Sequence, residues 1–212
     1  MFVLIDKPSW HTSFDMVRKL KRYYPKEKIG HAGTLDPLAT GLLIVAIGKQ
    51  TKQLGNFLHM DKTYQTTVNF SIESDTRDTD YWKDYKEYAH TENWITKDNQ
   101  TIEAPSLENI KEVLQSIIWT HLLPLTPFSA KKIRGKKLYE YARAGEPIFI
   151  DIPMEVVSYE ILSYSFPEIT LKIHVWSWTY IRSIAYWLGK QFWLPGTVTA
   201  LRRLSIWPHL VP

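Results

Sequence analysis

The chain has 212 residues, 44% of them hydrophobic, with 26 lysines and arginines, 22 acids and no cysteine. A chain of that length buries a real core, as one large domain or two small ones. Without cysteine it has neither disulfides nor thiolate metal sites, as fits a cytoplasmic protein. No apolar run approaches the roughly 18 residues of a membrane-spanning helix, and no basic-then-apolar leader opens the chain. Charge is uneven: residues 73–112 hold eleven acids against five bases, leaving 21 bases against 11 acids elsewhere. Such a body suits a phosphate backbone, with the acidic segment turned away from it, although the same split also describes an ordinary solvated surface.

In chain order, the pattern predicts a strand over residues 2–5. A helix follows, N-capped by Ser13, with Phe14, Val17, Leu20 and Tyr24 on one face and Pro25 as its stop. Residues 30–41 carry Gly30, Gly33 and Gly41 around His31 and the pair Asp36-Pro37. Glycine admits positive φ and close backbone approach, and Pro37 biases Asp36 towards an extended conformation. The stretch therefore reads as a rigid irregular loop aiming one carboxylate, although Asp-Pro also opens plain turns. Residues 42–47 are an apolar run of strand length, Gly48 opens a short helix through Leu58, and residues 62–70 are rich in β-formers. Residues 81–105 lack periodicity and read as an exposed hairpin or loop.

Ser106 caps an amphipathic helix whose stripe is Leu107, Ile110, Val113, Leu114, Ile117 and Ile118. Between Pro127 and Gly145 stand Lys131, Lys132, Arg134, Lys136, Lys137 and Arg143 against one acid, interleaved with Phe128, Tyr139 and Tyr141. That composition suits an RNA contact. Strands are expected over 156–164 and 169–175, then the string Thr179-Tyr180-Ile181-Arg182-Ser183 leads into a helix ending near Gly189.

The string Gly30-His31-Ala32-Gly33-Thr34-Leu35-Asp36-Pro37-Leu38-Ala39-Thr40-Gly41-Leu42-Leu43 closely resembles G-H-x-G-x-L-D-P-x-A-x-G-x-L, the signature of the bacterial tRNA pseudouridine-55 synthases, the TruB family. Other stretches resemble that family in the expected order. They are the strand around Tyr64, the loop Ser74-Asp75-Thr76-Arg77-Asp78, the basic string from Ser129 to Gly145, the Thr179–Ser183 string and Thr197–Leu204. The resemblance implies an α+β pseudouridine synthase fold: a central mixed, mostly antiparallel sheet flanked by helices, with an inserted thumb loop at about 124–147.

It further implies isomerisation of a flipped-out uridine in the tRNA T-loop. Asp36 would be the catalytic residue, Tyr64 would contact the base, and Arg182 would pair with Asp36. His31, Lys7, Leu201 and Arg202 would lie at the bound nucleotides. Lys131, Arg134, Lys136, Lys137 and Arg143 would grip the T-arm. The partner implied is tRNA, with no metal, cofactor, membrane or protein partner, and the protein would act as a monomer. Two readings stay open beside this one: a non-catalytic tRNA chaperone, and a guide-dependent synthase acting on another RNA. The route also stays open, since Asp36 could attack the sugar or remove its 2′ proton.

Two departures stand out. Many members continue into a C-terminal PUA domain, whereas residues 1–212 read as the catalytic domain alone. The chain also has nine glycines and nine tryptophans. Trp10 and Trp178 fall where the family pattern has glycine, and Trp82, Trp119, Trp193 and Trp207 are assigned to the same group. The expectation is that these are UGA codons read as glycine in the source organism; the reading that stays open beside it is an aromatic-rich homologue whose tryptophans are genuine.

Overall fold

The computed structural model describes residues 1–79 and 85–211. In chain order the strands are β1 (Phe2–Lys7), β2 (Ile29–Ala32), β3 (Thr40–Ile47), β4 (Lys62–Asn69), β5 (Ile72–Ser74), β6 (Tyr85–Glu87), β7 (Trp94–Lys97) and β8 (Gln100–Glu103). They continue as β9 (Trp119–Pro124), β10 (Lys132–Ile133), β11 (Lys136–Lys137), β12 (Asp151–Ser165), β13 (Glu168–Val175), β14 (Thr197–Ile206) and β15 (His209–Leu210). The helices are α1 (Ser13–Lys21), α2 (Leu54–Leu58), α3 (Leu107–Ser116), α4 (Leu138–Arg143) and α5 (Ile181–Gln191), with a 3-10 segment at Gly48–Gln53.

One sheet organises these elements in the order β1-β3-β14-β4-β13-β12-β9, with β2 on β3 and β15 on β14. All its strand pairs are antiparallel except β14 with β3, where Arg202 faces Thr40 and Arg203 faces Gly41. The expected mixed, mostly antiparallel sheet is present. Residues 41–47 of β3 are buried without alternation, because both faces of this strand are covered. β13 alternates cleanly, with Ile169, Leu171, Ile173 and Val175 turned into the main core. On that core pack Ile110, Leu114 and Ile117, the inner stripe of α3 and its cap, together with Ile184, Ala185 and Leu188 of α5.

Several boundaries move. Thr12, not Ser13, is the N-cap of α1: its hydroxyl accepts from the Asp15 amide at 3.1 Å, and the Asp15 carboxylate accepts from the Thr12 amide at 2.7 Å. Ser13 is turned inward, where its hydroxyl accepts from the Leu35 amide at 2.9 Å. Phe14 is 60% exposed, and Met16 takes the inward place expected of it. Gly30 and His31 are not loop residues. They lie in β2, paired with Ala46 and Val45 of β3, so the irregular segment shortens to residues 33–39. Within residues 81–105 the described part forms a β7–β8 hairpin and β6, which pairs with β5, and Ile95 is fully buried rather than exposed. Trp82 and the rest of 80–84 lie outside the described residues.

Candidate active site

Residues 33–39 are held on all sides. The Ala39 amide donates to the Asp36 carbonyl at 3.0 Å, closing a tight turn over Pro37 and Leu38, so the turn reading and the aimed-carboxylate reading both hold. The Trp10 amide and the Lys7 ammonium donate to the Pro37 carbonyl, at 2.8 and 3.2 Å, and the Ser9 hydroxyl donates to that of Leu38 at 2.9 Å. From the other side, Arg203 donates through Nε to the Leu42 carbonyl at 2.7 Å and through Nη2 to that of Gly33 at 3.2 Å. One guanidinium thus spans both ends of the loop.

The loop presents Asp36 to Arg182, which enters from the first turn of α5. Nη2 donates to Asp36 Oδ1 at 2.9 Å and Nε lies 2.9 Å from Oδ2, a two-point fork that fixes the carboxylate in its plane. Arg182 is only 6% exposed and is held by more than Asp36. Its Nη1 donates to the Thr76 carbonyl at 2.8 Å and lies 3.3 Å from Asp78 Oδ2, and its Nη2 donates to the Phe128 carbonyl at 3.2 Å. Asp78 is 2% exposed and accepts from the Thr76 hydroxyl at 2.6 Å. A buried guanidinium needs such company to offset its desolvation. The acidic count over 73–112 therefore included one carboxylate that faces inward to this cluster.

Asp36 and Arg182 open into a cavity of about 480 Å³, lined also by His31, Lys62, Tyr64, Ser129, Tyr139, Tyr180, Leu201 and Arg203. Tyr64 comes from β4, where its position faces Ile173 of β13 and Arg203 of β14. Leu201 lies in the same wall. Burial, with Asp36 adding and Arg182 opposing, raises the Tyr180 phenol above its ordinary value, so it remains a hydrogen-bond donor at neutral pH. Burial and then the Arg203 charge lower the His31 imidazole, which is therefore neutral. Burial lowers the Lys62 ammonium to about 8, with Arg203 adding and Asp61 opposing.

Of the residues named from sequence, Asp36, Arg182, Tyr64, His31 and Leu201 meet on this cavity. Lys7 does not. It is fully buried, with its ammonium on the carbonyls of Pro8, His11 and Pro37, so it braces the loop from behind and presents nothing to RNA. Arg202 lines a neighbouring hollow and is engaged by Asp6 at 2.7 and 3.0 Å. Lys131, Arg134, Lys136 and Arg143 are exposed, and Lys137 is half-buried, around the β10–β11 hairpin and α4. Sequence reasoning assigned no role to Asp78 or Lys62, and named Arg203 only within the Thr197–Leu204 string, whose arginines the resemblance puts near the site. For Asp78 a signal existed in the loop string from Ser74. For the other two, strand alternation alone could not separate a cavity-lining cation from a surface one.

Residues 21–181 match the family model described as TruB family pseudouridylate synthase (N terminal domain). The chain belongs to this family. Among curated TruB-type relatives, the tRNA pseudouridine synthase B of Aquifex aeolicus is 38% identical over 208 residues, 96% of this chain and 67% of its own length. That of Chloroherpeton thalassium is 34% identical over 97% of this chain and 82% of its own length. With 65% of the Caldicellulosiruptor saccharolyticus protein covered, the chain spans about two thirds of the length of that relative and of the Aquifex aeolicus one. Solved structures share the fold at 20% identity. A Cbf5-Nop10-Gar1 complex matches with a TM-score of 0.68 over 96% of this chain and 48% of that one. An H/ACA ribonucleoprotein bound to a substrate RNA containing 2′-deoxyuridine matches with 0.65 over 96% and 46%. Among the described residues no helix is long and apolar enough to cross a membrane.

Proposed function

We propose that this chain isomerises uridine 55 in the T-loop of tRNA to pseudouridine, with Asp36 as the reacting carboxylate. The observation that carries the reading is the two-point Asp36–Arg182 pair opening into a cavity with Tyr64 and Leu201 in its wall. The names of the relatives supply the substrate class. A stacked base cannot reach a carboxylate at this depth, so the uridine must be everted, and the few kcal/mol of unstacking are offset by pocket contacts.

In the reaction the N1–C1′ bond breaks, the uracil turns within the cavity, and C5 bonds to C1′. The proton displaced from C5 is lost and N1 gains one, so the balance is that of an isomerisation and calls for no redox partner. Asp36 serves either by attacking the sugar or by removing its 2′ proton, and both routes need it aimed, which is what the Arg182 fork provides. Tyr64 contacts the ring and relays the C5 proton, Leu201 packs beside the ring, and His31 orders the neighbouring nucleotides. The exposed bases around α4 grip the T-arm backbone, and Arg202 joins them at the rim. The reading takes the chain to act as a monomer on tRNA in the cytoplasm.

The test is incubation of unmodified T-arm RNA with wild type and Asp36→Asn, followed by carbodiimide mapping of pseudouridine. The reading expects modification by wild type only. Modification that persists in Asp36→Asn contradicts it, and binding without modification by wild type favours the chaperone reading.

A further inference from the structure

Among the described residues, Trp10, Trp119, Trp178 and Trp193 adopt φ of 62°, 80°, 69° and 60°. This left-handed region suits glycine and is a true outlier for a bulky side chain. Of the other four non-glycine cases, Asp98, Asn99 and Arg134 lie in tight hairpin turns where such φ is ordinary, and Arg77 (φ 62°) lies in the turn after β5, where its buried guanidinium donates to the Pro124 carbonyl at 2.6 Å. The four tryptophans sit where chain geometry asks for glycine. Trp193 directly follows Phe192, the C-cap of α5. Its amide donates to the Lys190 carbonyl at 3.2 Å, and the Leu194 amide donates to that of Gly189 at 3.0 Å. Those two bonds define the helix-ending motif whose left-handed position is usually glycine. Trp119 lies two residues past Ile117, the C-cap of α3, where the chain turns into β9. Trp10 and Trp178 lie in the turns before α1 and α5. All four indoles are at least half exposed, at 52, 70, 52 and 82% for Trp10, Trp119, Trp178 and Trp193, so no core contact explains their size.

We infer that positions 10, 119, 178 and 193 are glycines in the working protein, specified by UGA codons that the source cell reads as glycine. Trp187 is a contrast: it lies within α5, packed against the main core, and is a genuine tryptophan. Trp207 follows the sequence argument only, since its φ is not positive. The inference has a consequence for the substrate, which rests on the proposed uridine chemistry. Trp178 stands in the wall of the catalytic cavity, and Trp10 in the hollow it shares with Leu201 and Arg202. Glycine at both removes two indoles from the face that RNA must approach and lets its backbone come close.

Two measurements test this. Sequencing the gene, with peptide mass spectrometry of the protein from its source cells, should give UGA and glycine at the four positions, and UGG and tryptophan at 187. UGG at the four codons, or tryptophan in their peptides, overturns the inference whether or not the protein is an isomerase. In the second measurement the chain as written is compared with W10G/W119G/W178G/W193G. The quadruple variant should melt higher by roughly 2–4 °C per position and bind T-arm RNA more tightly. Equal or lower melting contradicts the assignment. Higher melting with unchanged RNA affinity overturns only the consequence for the substrate.

Discussion

Lys62 shows how one residue can report on the site. It is 9% exposed, its ammonium donates to the Leu58 carbonyl at 3.3 Å and to that of Met60, and it lines the cavity with Arg203. Burial holds it near 8, below the ordinary 10.5, so the unfolded chain binds more protons between about pH 8 and 10.5. Across that window this group makes stability rise with pH, while the cavity loses a positive charge. The expected outcome is a KM for T-arm RNA that climbs from pH 7 to 9 in wild type and is flat in Lys62→Gln. A flat wild-type profile would remove Lys62 from the substrate's surroundings. Among residues, what the sequence made legible was local: Asp36 beside Pro37 and Arg182 in its short string were visible because each motif is contiguous. That Asp78 would close the far side of Arg182, or that Arg203 would clamp Gly33 and Leu42, depended on strand pairing between segments more than 100 residues apart.

At the scale of elements, the basic hairpin β10–β11 and α4 have their own prediction. Lys136 stacks over Tyr141 at 4.6 Å and Arg143 over Tyr139 at 5.3 Å, so part of the cationic set is pre-ordered by aromatic faces. Replacing Lys131 and Arg134 by alanine should weaken T-arm binding and reduce the slope of log affinity against log salt by about 0.7–0.9 per charge removed, leaving single-turnover chemistry at saturation nearly unchanged. An unchanged slope would take these side chains off the phosphate backbone. The composition of residues 127–145 made this element readable, but its short β-hairpin and helix were not, because pairs of two-residue strands carry no periodicity. The cap of α1 was misplaced by one residue for a similar reason: Thr12 and Ser13 are both good caps, and only the Asp15 carboxylate and the Leu35 backbone decide between them.

For the whole molecule, the sheet is what brings the site together. β3 and β14 run parallel side by side, and Gly41 lies where they touch: a Cβ there would sit 2.2 Å from the Arg203 carbonyl oxygen, and its φ is +98°. Gly41→Ala should destabilise by at least about 2 kcal/mol, read as a lowered urea midpoint, because it combines overpacking with a forbidden backbone. A midpoint within error of wild type would mean that this junction is not rigid. The order of strands was beyond sequence reasoning, which gave β1, β3, β4, β12 and β13 without their neighbours and did not give β9 or β14 as strands. β14, last but one in the chain, is inserted between β3 and β4, and it is this placement that seats Leu201 and Arg203 in the cavity with Tyr64.

The claim on which the account rests is that the carboxylate held by Arg182 performs the chemistry on an everted uridine. Single-turnover release of tritium from C5 of T-loop uridine, with RNA affinity measured in parallel by filter binding, tests it most directly. The account predicts that Asp36→Asn binds T-arm RNA within a few-fold of wild type and releases no tritium. Release by Asp36→Asn at a rate near wild type would contradict it.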